Sequence, residues 1–296
     1  MTMTNTRSAK VYLGVGYLPP GHLLPVVREA EALGFDGVGF PEHIVNPVDV
    51  RVRYPGSADG IPQWDVQETP WLEPLVALGA IAGAVPRLRL MTHIYILPAR
   101  SPVHAAKAAG SLAALFPERF AFGVGIGWLP DDFEVTGTDF STRGARLDEA
   151  IKVMTSLWAP GTTNFVGEHY RVEGVTMEPR PSPPPPVLVS GHSKAAFDRA
   201  GRLGQGFVAM PSTLEDHRDR IIPTLGAALA EHGRSLEGFH IAATPTSLDS
   251  NDELVAWGEA GVTSVQVTAF DRPTATTAPL DVKREMVAAL AKKILS

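Results

Sequence analysis

Residues 23–43 read LLPVVREAEALGFDGVGFPEH, and this stretch holds the unit from which the chain is built. Leu23, Val26, Val27, Ala30 and Leu33 recur at the three- and four-residue spacing that gathers side chains on one face of a helix. Gly34 stands where a helix end calls for a residue that takes positive φ freely. Residues 35–40 then form a short apolar run of strand length, closed by Pro41-Glu42-His43. Helix, glycine stop, buried strand and polar loop follow one another within 21 residues.

The same rhythm extends in both directions. Strands are predicted at 11–15, 35–40, 88–97, 120–126, 187–190, 206–210, 239–243 and 262–268, each followed by a helical stretch. Ser101-Pro102 reads as an N-cap followed by proline at the first helical position. Residues 160–185 break the rhythm and are predicted to be an insertion containing a hairpin, between the fourth and fifth strands. Strict βα alternation implies a parallel sheet. Eight units close naturally into a (β/α)8 TIM barrel, although an open doubly wound sheet has the same periodicity. A single domain over 1–296 is the expected organisation.

Composition narrows the function. With 26 basic and 32 acidic residues the net charge is −6, and no basic face offers itself to nucleic acid. The absence of cysteine removes disulfides, thiolate metal sites and thiol nucleophiles. Residues 1–10 are polar and lack the apolar run of a signal peptide, and no apolar run reaches spanning length. A cytoplasmic protein with a small-molecule substrate, and neither a nucleic-acid nor a membrane partner, is the expectation.

In a barrel of this kind chemistry gathers at the C-terminal ends of the strands. Those positions hold Glu42 and His43, then Thr92 and His93, the run Gly123-Val-Gly125-Ile-Gly127-Trp128, Ser190-Gly191-His192-Ser193, and Met210. His43 suits proton transfer near neutral pH, and serves equally as a loop histidine bonded to a carbonyl. The glycines are spaced GxGxG, not the GxGxxG of a dinucleotide fold. They point to close backbone approach to a flat ligand or its phosphate, with tight packing at the barrel top as the other reading. Ser190–Ser193 precede a helix, so their amides make either an anion site or an ordinary cap. Tyr54, Trp64, Trp71 and Trp128 either wall an apolar pocket or pin the loops that carry them. A metal hydrolase needs more converging histidines and carboxylates than His43 and His93 supply, so no metal centre is expected.

Taken in order, Leu33–His43, Ile96-Leu-Pro-Ala-Arg-Ser-Pro102, Phe122–Trp128, Arg143-Gly-Ala-Arg-Leu-Asp-Glu149 and Leu157-Trp158 resemble the luciferase-like monooxygenase superfamily, especially its coenzyme F420-dependent branch. The resemblance implies a bacterial-luciferase-like barrel with a flavin-like ring across its mouth. Ser190, Gly191, His192 and Ser193 would hold the phosphate, and Thr92 and His93 would lie under the ring. A non-prolyl cis peptide, frequent in the third strand of such proteins, would here involve His93. Gly125, Gly127, Trp128 and Met210 complete the expected cofactor set, with His43 as proton carrier and Glu42 as its orienting partner. A homodimer is also implied.

Three departures from the family pattern are visible. Trp128 stands where sugar-phosphate-oxidising relatives carry an acidic glutamate, Asp131-Asp132-Phe133 replaces Asp-Glu-Phe, and Pro117-Glu118-Arg119 replaces Gly-Gly-Arg. The first argues against a sugar-phosphate substrate. The activity this implies is hydride transfer between F420 and an apolar small molecule. An FMN-dependent monooxygenase, which would need a flavin reductase as partner, and a non-catalytic flavin-binding barrel are the alternatives.

Overall fold

The computed structural model describes residues 9–55, 57, 59–62 and 67–296. Its strands are β1 (Lys10–Gly14), β2 (Gly37–Phe40), β3 (Arg89–Thr92), β4 (Tyr95–Ile96), β5 (Phe120–Gly125), β6 (Thr163–Val166), β7 (Arg171–Val175), β8 (Val187–Gly191), β9 (Gly206–Ala209), β10 (His240–Ala243) and β11 (Ser264–Val267). The helices are α1 (Pro20–Ala32), α2 (Pro74–Ala84), α3 (Pro102–Leu115), α4 (Pro130–Glu134), α5 (Arg143–Trp158), α6 (Lys194–Leu203), α7 (Leu214–Asp216), α8 (Ile222–Ala230), α9 (Asn251–Glu259), α10 (Arg272–Thr277) and α11 (Leu280–Ile294).

Eight strands pair in parallel in the order β3-β2-β1-β11-β10-β9-β8-β5, and β3 pairs with β5 to close the ring. The closure removes the open-sheet alternative. Period-two alternation makes two cores from one set of strands. Tyr12, Met91, Leu188, Val208 and Ala242 fill the barrel interior. Val11, Leu13, Val38, Leu90, Phe122 and Val189 face outward, where buried helix residues such as Leu23, Val26, Leu78, Ala109 and Ile151 cover them. Each fully buried Leu or Val contributes about 1.5–3 kcal/mol.

The punctuation follows the local chemistry. Gly34 takes φ 89°, and the N–H groups of Gly34 and Phe35 return to Glu31 and Ala30, which ends α1 in a Schellman motif. Ser101 accepts from the His104 N–H with Pro102 next to it, and Ser193 caps α6 through the Ala196 N–H. At the base of the barrel Arg119 donates to the carbonyls of Ala82, Val85 and Leu88, tying β5 to the turn before β3. Glu118, in the place of a family glycine, takes φ 60°.

The predicted insertion is the antiparallel hairpin β6–β7. It is held from outside the sheet, because the Glu149 carboxylate on α5 accepts from the N–H groups of Glu168, His169 and Tyr170 at 2.8–3.0 Å. Two local features differ from the sequence reading. The third strand is not continuous over 88–97 but breaks at the His93–Ile94 peptide, which is cis, and resumes as β4 beside β5. The short helix α10 occupies the loop after β11, where no element was expected.

Candidate active site

The C-terminal strand ends surround a cavity of about 1070 Å³. Of the sequence-predicted residues, Glu42, His43, Tyr54, Trp71, His93, Gly125, Gly127, Trp128, Ser190, Gly191, His192, Ser193 and Met210 line it. Thr92 does not. Its side chain is fully buried and its hydroxyl donates to the Gly123 carbonyl at 2.7 Å, so it joins two strands instead of meeting a ligand. Trp64 lies outside the described residues.

His43 is fixed by a residue 89 positions away. Its Nδ1 lies 2.9 Å from Asp132 Oδ2, and the other carboxylate oxygen accepts from the N–H groups of Ile44 and Val45 at 2.8 and 3.2 Å. Asp132 is fully buried on α4. A carboxylate only accepts, so Nδ1 carries the proton and Nε2 the lone pair. The edges of Trp71 and Trp128 meet the imidazole at centroid distances of 5.1 and 5.5 Å, Tyr54 packs on Trp128, and Tyr17 packs on Trp71. The four aromatics form one wall around the histidine.

Glu42 does not orient His43. Its carboxylate forms a two-pronged pair with Arg100, at 2.9 and 2.5 Å, and accepts from the Ile96 N–H. Burial pushes the carboxyl up to about 7, against the pull of the Arg100 guanidinium. A side chain whose two oxygens are occupied in this way braces β4 under the cavity, and the orienting place expected of Glu42 belongs to Asp132.

His93 forms part of the floor. Its Nε2 lies 3.3 Å from Thr244 Oγ1, whose hydroxyl donates to the Ala209 carbonyl, and its Nδ1 lies 3.2 Å from Gln266 Nε2. This set assigns the proton to Nε2. Burial pushes the imidazole down to about 4, so it is neutral at physiological pH. Gly39, on β2, leaves room for the Gln266 amide in this position: a Cβ there would lie 1.5 Å from its amide oxygen.

The glycine run is explained by the protein itself. A Cβ on Gly123 would strike the Thr92 carbonyl, one on Gly125 would lie 2.8 Å from Ile94 Cδ1, and one on Gly127 2.8 Å from Ile96 Cγ2. Packing of β5 against the interrupted third strand thus accounts for all three, even though Gly125 and Gly127 also border the cavity.

Opposite the aromatic wall, the end of β8 leads into α6. Gly191 has φ 148°, with Ala196 where a side chain would go. The first amides of α6 are capped by Ser193. Arg143 and Arg199 line the same end. Arg199 is paired with Asp148, whereas the buried Nε of Arg143 has no hydrogen-bond partner. Ser190 turns its hydroxyl to the Val208 carbonyl at 3.0 Å. Amides at a helix start beside two guanidiniums, one with an unsatisfied donor, fit a phosphate. Sequence reading missed Asp132, Arg100, Thr244, Gln266 and these arginines as site residues. Arg100, Asp132 and Arg143 stood inside family motifs, and the remainder had no local signal.

The mouth of the barrel thus carries the His43–Asp132 pair at one side and the start of α6 beside two arginines at the other. Residues 2–291 match the luciferase-like monooxygenase family, and the chain belongs to that family. An uncharacterized protein of Mycobacterium tuberculosis is 34% identical over 227 residues, 74% of this chain and 78% of its own. A protein of Segniliparus rotundus named F420-dependent glucose-6-phosphate dehydrogenase is 30% identical over 225 residues, 74% of this chain and 62% of its own. Among solved structures, an F420-dependent secondary alcohol dehydrogenase in complex with an F420-acetone adduct superposes with a TM-score of 0.77 at 16% identity, over 97% of this chain and 98% of that one. This last likeness concerns the fold. Among the described residues, the one cluster spaced for a metal is Asp198, Glu231 and His232, none of which lines the cavity.

Proposed function

We propose that this protein is a coenzyme F420-dependent oxidoreductase acting on a small molecule with an apolar body. The observation that carries the reading is the polarised cavity, with the Asp132-held His43 in an aromatic wall and an anion cradle after β8 on the far side. The relative named for F420 supports the choice of cofactor. When bound, the deazaflavin supplies hydride chemistry without activating oxygen.

The chain's own residues then have separable tasks. Arg143 and the start of α6 would hold the phosphate, and neutral His93 would offer an uncharged surface to the ring. Trp71, Trp128, Tyr54 and Tyr17 exclude water from the reacting face, which strengthens electrostatic contacts there. His43 takes or gives the proton at Nε2, while Asp132 stabilises the imidazolium that forms on taking it.

Titration of the purified protein with F420 and with FMN, followed by fluorescence or calorimetry, tests the cofactor. Tight F420 binding with weak FMN binding is expected, and preference for FMN overturns the assignment. His43→Ala is expected to lower kcat by about 10²–10⁴ without weakening F420 binding. A parallel loss of binding would make His43 a cofactor ligand instead.

A homodimer belongs to the same reading. The outward face of α2 carries Val76, Gly79, Ala80 and Gly83, with no polar side chain among them, and Val76 is 73% exposed. Light scattering of Ala80→Glu against the parent protein tests this, and an unchanged dimer excludes that face. No helix of the described residues is long and apolar enough to cross a membrane.

A further inference from the structure

At the base of the barrel, away from the cavity, each strand enters with one residue turned inward. Tyr12, Met91 and Ala242 belong to the interior cluster, so period two turns Lys10, Arg89 and His240, two positions earlier, to the same side. The other five strands enter with Gly37, Ala121, Leu188, Gly206 and Ser264 at the matching positions. Basic side chains thus stand on β1, β3 and β10, and no strand brings a carboxylate to this layer. Residues 1–9, which lead into β1, contain none either.

The polar groups gathered there can all donate. Among the described residues, the side chains of Lys10, Arg89 and His240 take part in no hydrogen bond or ion pair. Tyr12 is only 7% exposed, its ring lying 2.5 Å from where a Gly37 Cβ would be, and among the described residues its hydroxyl has no partner. The same is true of the Ser264 hydroxyl, on a residue 9% exposed. The charges are close enough to act on one another. Burial and then the Arg89 guanidinium hold the Lys10 ammonium below its ordinary value, and the opposing attraction of Asp36 is weaker. His240 is lowered by burial, then by Lys10 and Arg89. Burial pushes the Tyr12 phenol up to about 12, with Arg89 the strongest pull the other way. Asp36, the carboxylate felt here, accepts from the Val11 N–H at 2.8 Å. A positive potential ringed by donors, one of them a buried phenol, matches the needs of an oxyanion.

We infer that the base of the barrel binds a free oxyanion of the phosphate class on Lys10, Arg89 and His240, with the Tyr12 and Ser264 hydroxyls donating from within. The cations surround the barrel axis instead of forming a stripe, and the chain as a whole carries a net charge of −6, so a small ion fits better than a polyanion. The ion offsets the mutual repulsion of the three side chains and ties β1, β3 and β10 together, which stabilises the closed barrel by mass action. The site lies at the opposite end of the barrel from the cavity and does not depend on the cofactor.

Inorganic phosphate is the probe, titrated against chloride at matched ionic strength and followed by calorimetry and thermal denaturation. Phosphate is expected to bind saturably and to raise the melting temperature by about 2 °C at ten times its Kd. Because phosphate also fits the cradle after β8, the titration is repeated on Arg143→Ala, in which the base site is expected to persist. Arg89→Gln and Lys10→Gln are each expected to weaken phosphate binding at the base about tenfold or more and to leave F420 affinity unchanged. Without phosphate both are expected to melt no lower than the parent, since each removes a repulsion. Tyr12→Phe, which keeps the net charge, is expected to weaken phosphate about fivefold. Circular dichroism establishes that the variants fold. A phosphate effect no larger than that of chloride, one lost in Arg143→Ala, or one untouched by both Arg89→Gln and Lys10→Gln overturns the site. Unchanged affinity in Tyr12→Phe reduces it to diffuse attraction by surface cations, which also overturns it. Glycerol 2-phosphate is expected to bind more weakly than phosphate, and tighter binding overturns the free ion in favour of a phosphoryl group on a larger ligand.

Discussion

The two ends of the cavity are built from different materials. After β8, the lining is made largely from backbone, with Gly191 at positive φ, the first amides of α6 and the Ser193 cap, and two arginines behind them. Around β1, β2 and β11 it is made from side chains on loops, namely Tyr17, His43, Tyr54, Trp71 and Arg272. Backbone amides bind any phosphate whatever the rest of the ligand is. Side chains on loops can be exchanged without disturbing the barrel beneath them. The β8 end is therefore suited to a constant ligand and the opposite end to a variable one.

If the two ends are independent, damage at one leaves the other intact. The largest effect is expected from Asp132→Asn, which removes the carboxylate that fixes the His43 tautomer. kcat should fall by about 10²–10⁴ with F420 affinity unchanged. A proportional loss of cofactor binding would show that the ends are coupled through α4. Next comes Arg143→Ala, expected by calorimetry to weaken F420 binding by about ten- to a hundredfold, the range of a hydrogen bond to a charged group. kcat of the F420-saturated protein should not change, and a shared loss would break the division between ends.

The smallest effect concerns stability. Burial pushes His93 and His217 down to about 4 from 6.5. Between those values the unfolded chain takes up protons that the folded chain does not, so stability falls as the pH drops through this window. Within the window each histidine costs at most about 1.4 kcal/mol per pH unit. His217→Phe, which keeps a ring beside Trp257, should flatten the decline seen by thermal denaturation without altering either end of the cavity.

The barrel was legible because each unit declares itself within 20–30 residues, through a helical stripe such as Leu23–Leu33, a stop such as Gly34 and a buried run such as Phe35–Phe40. The hairpin was legible as a break in that period. Side-chain partnerships were not. His43 meets Asp132 across 89 positions, Glu42 meets Arg100 across 58, and His93 meets Gln266 across 173, and no local pattern carries such distances. The glycine run left two readings open, a ligand or tight packing at the barrel top: the space that Gly123, Gly125 and Gly127 leave is filled by Thr92, Ile94 and Ile96, and Gly125 and Gly127 also border the cavity. The interruption of the third strand that brings those atoms there was suggested by family resemblance alone.

Gly39 and Gln266 constrain how this barrel can change over generations. A side chain at position 39 requires the Gln266 amide, which fills that space, to swing away or be shortened. Either change takes from His93 Nδ1 the group that holds it. The two positions are therefore coupled. Relatives with a larger residue at the first are expected to carry a smaller one at the second, and a different residue in place of His93 on the floor.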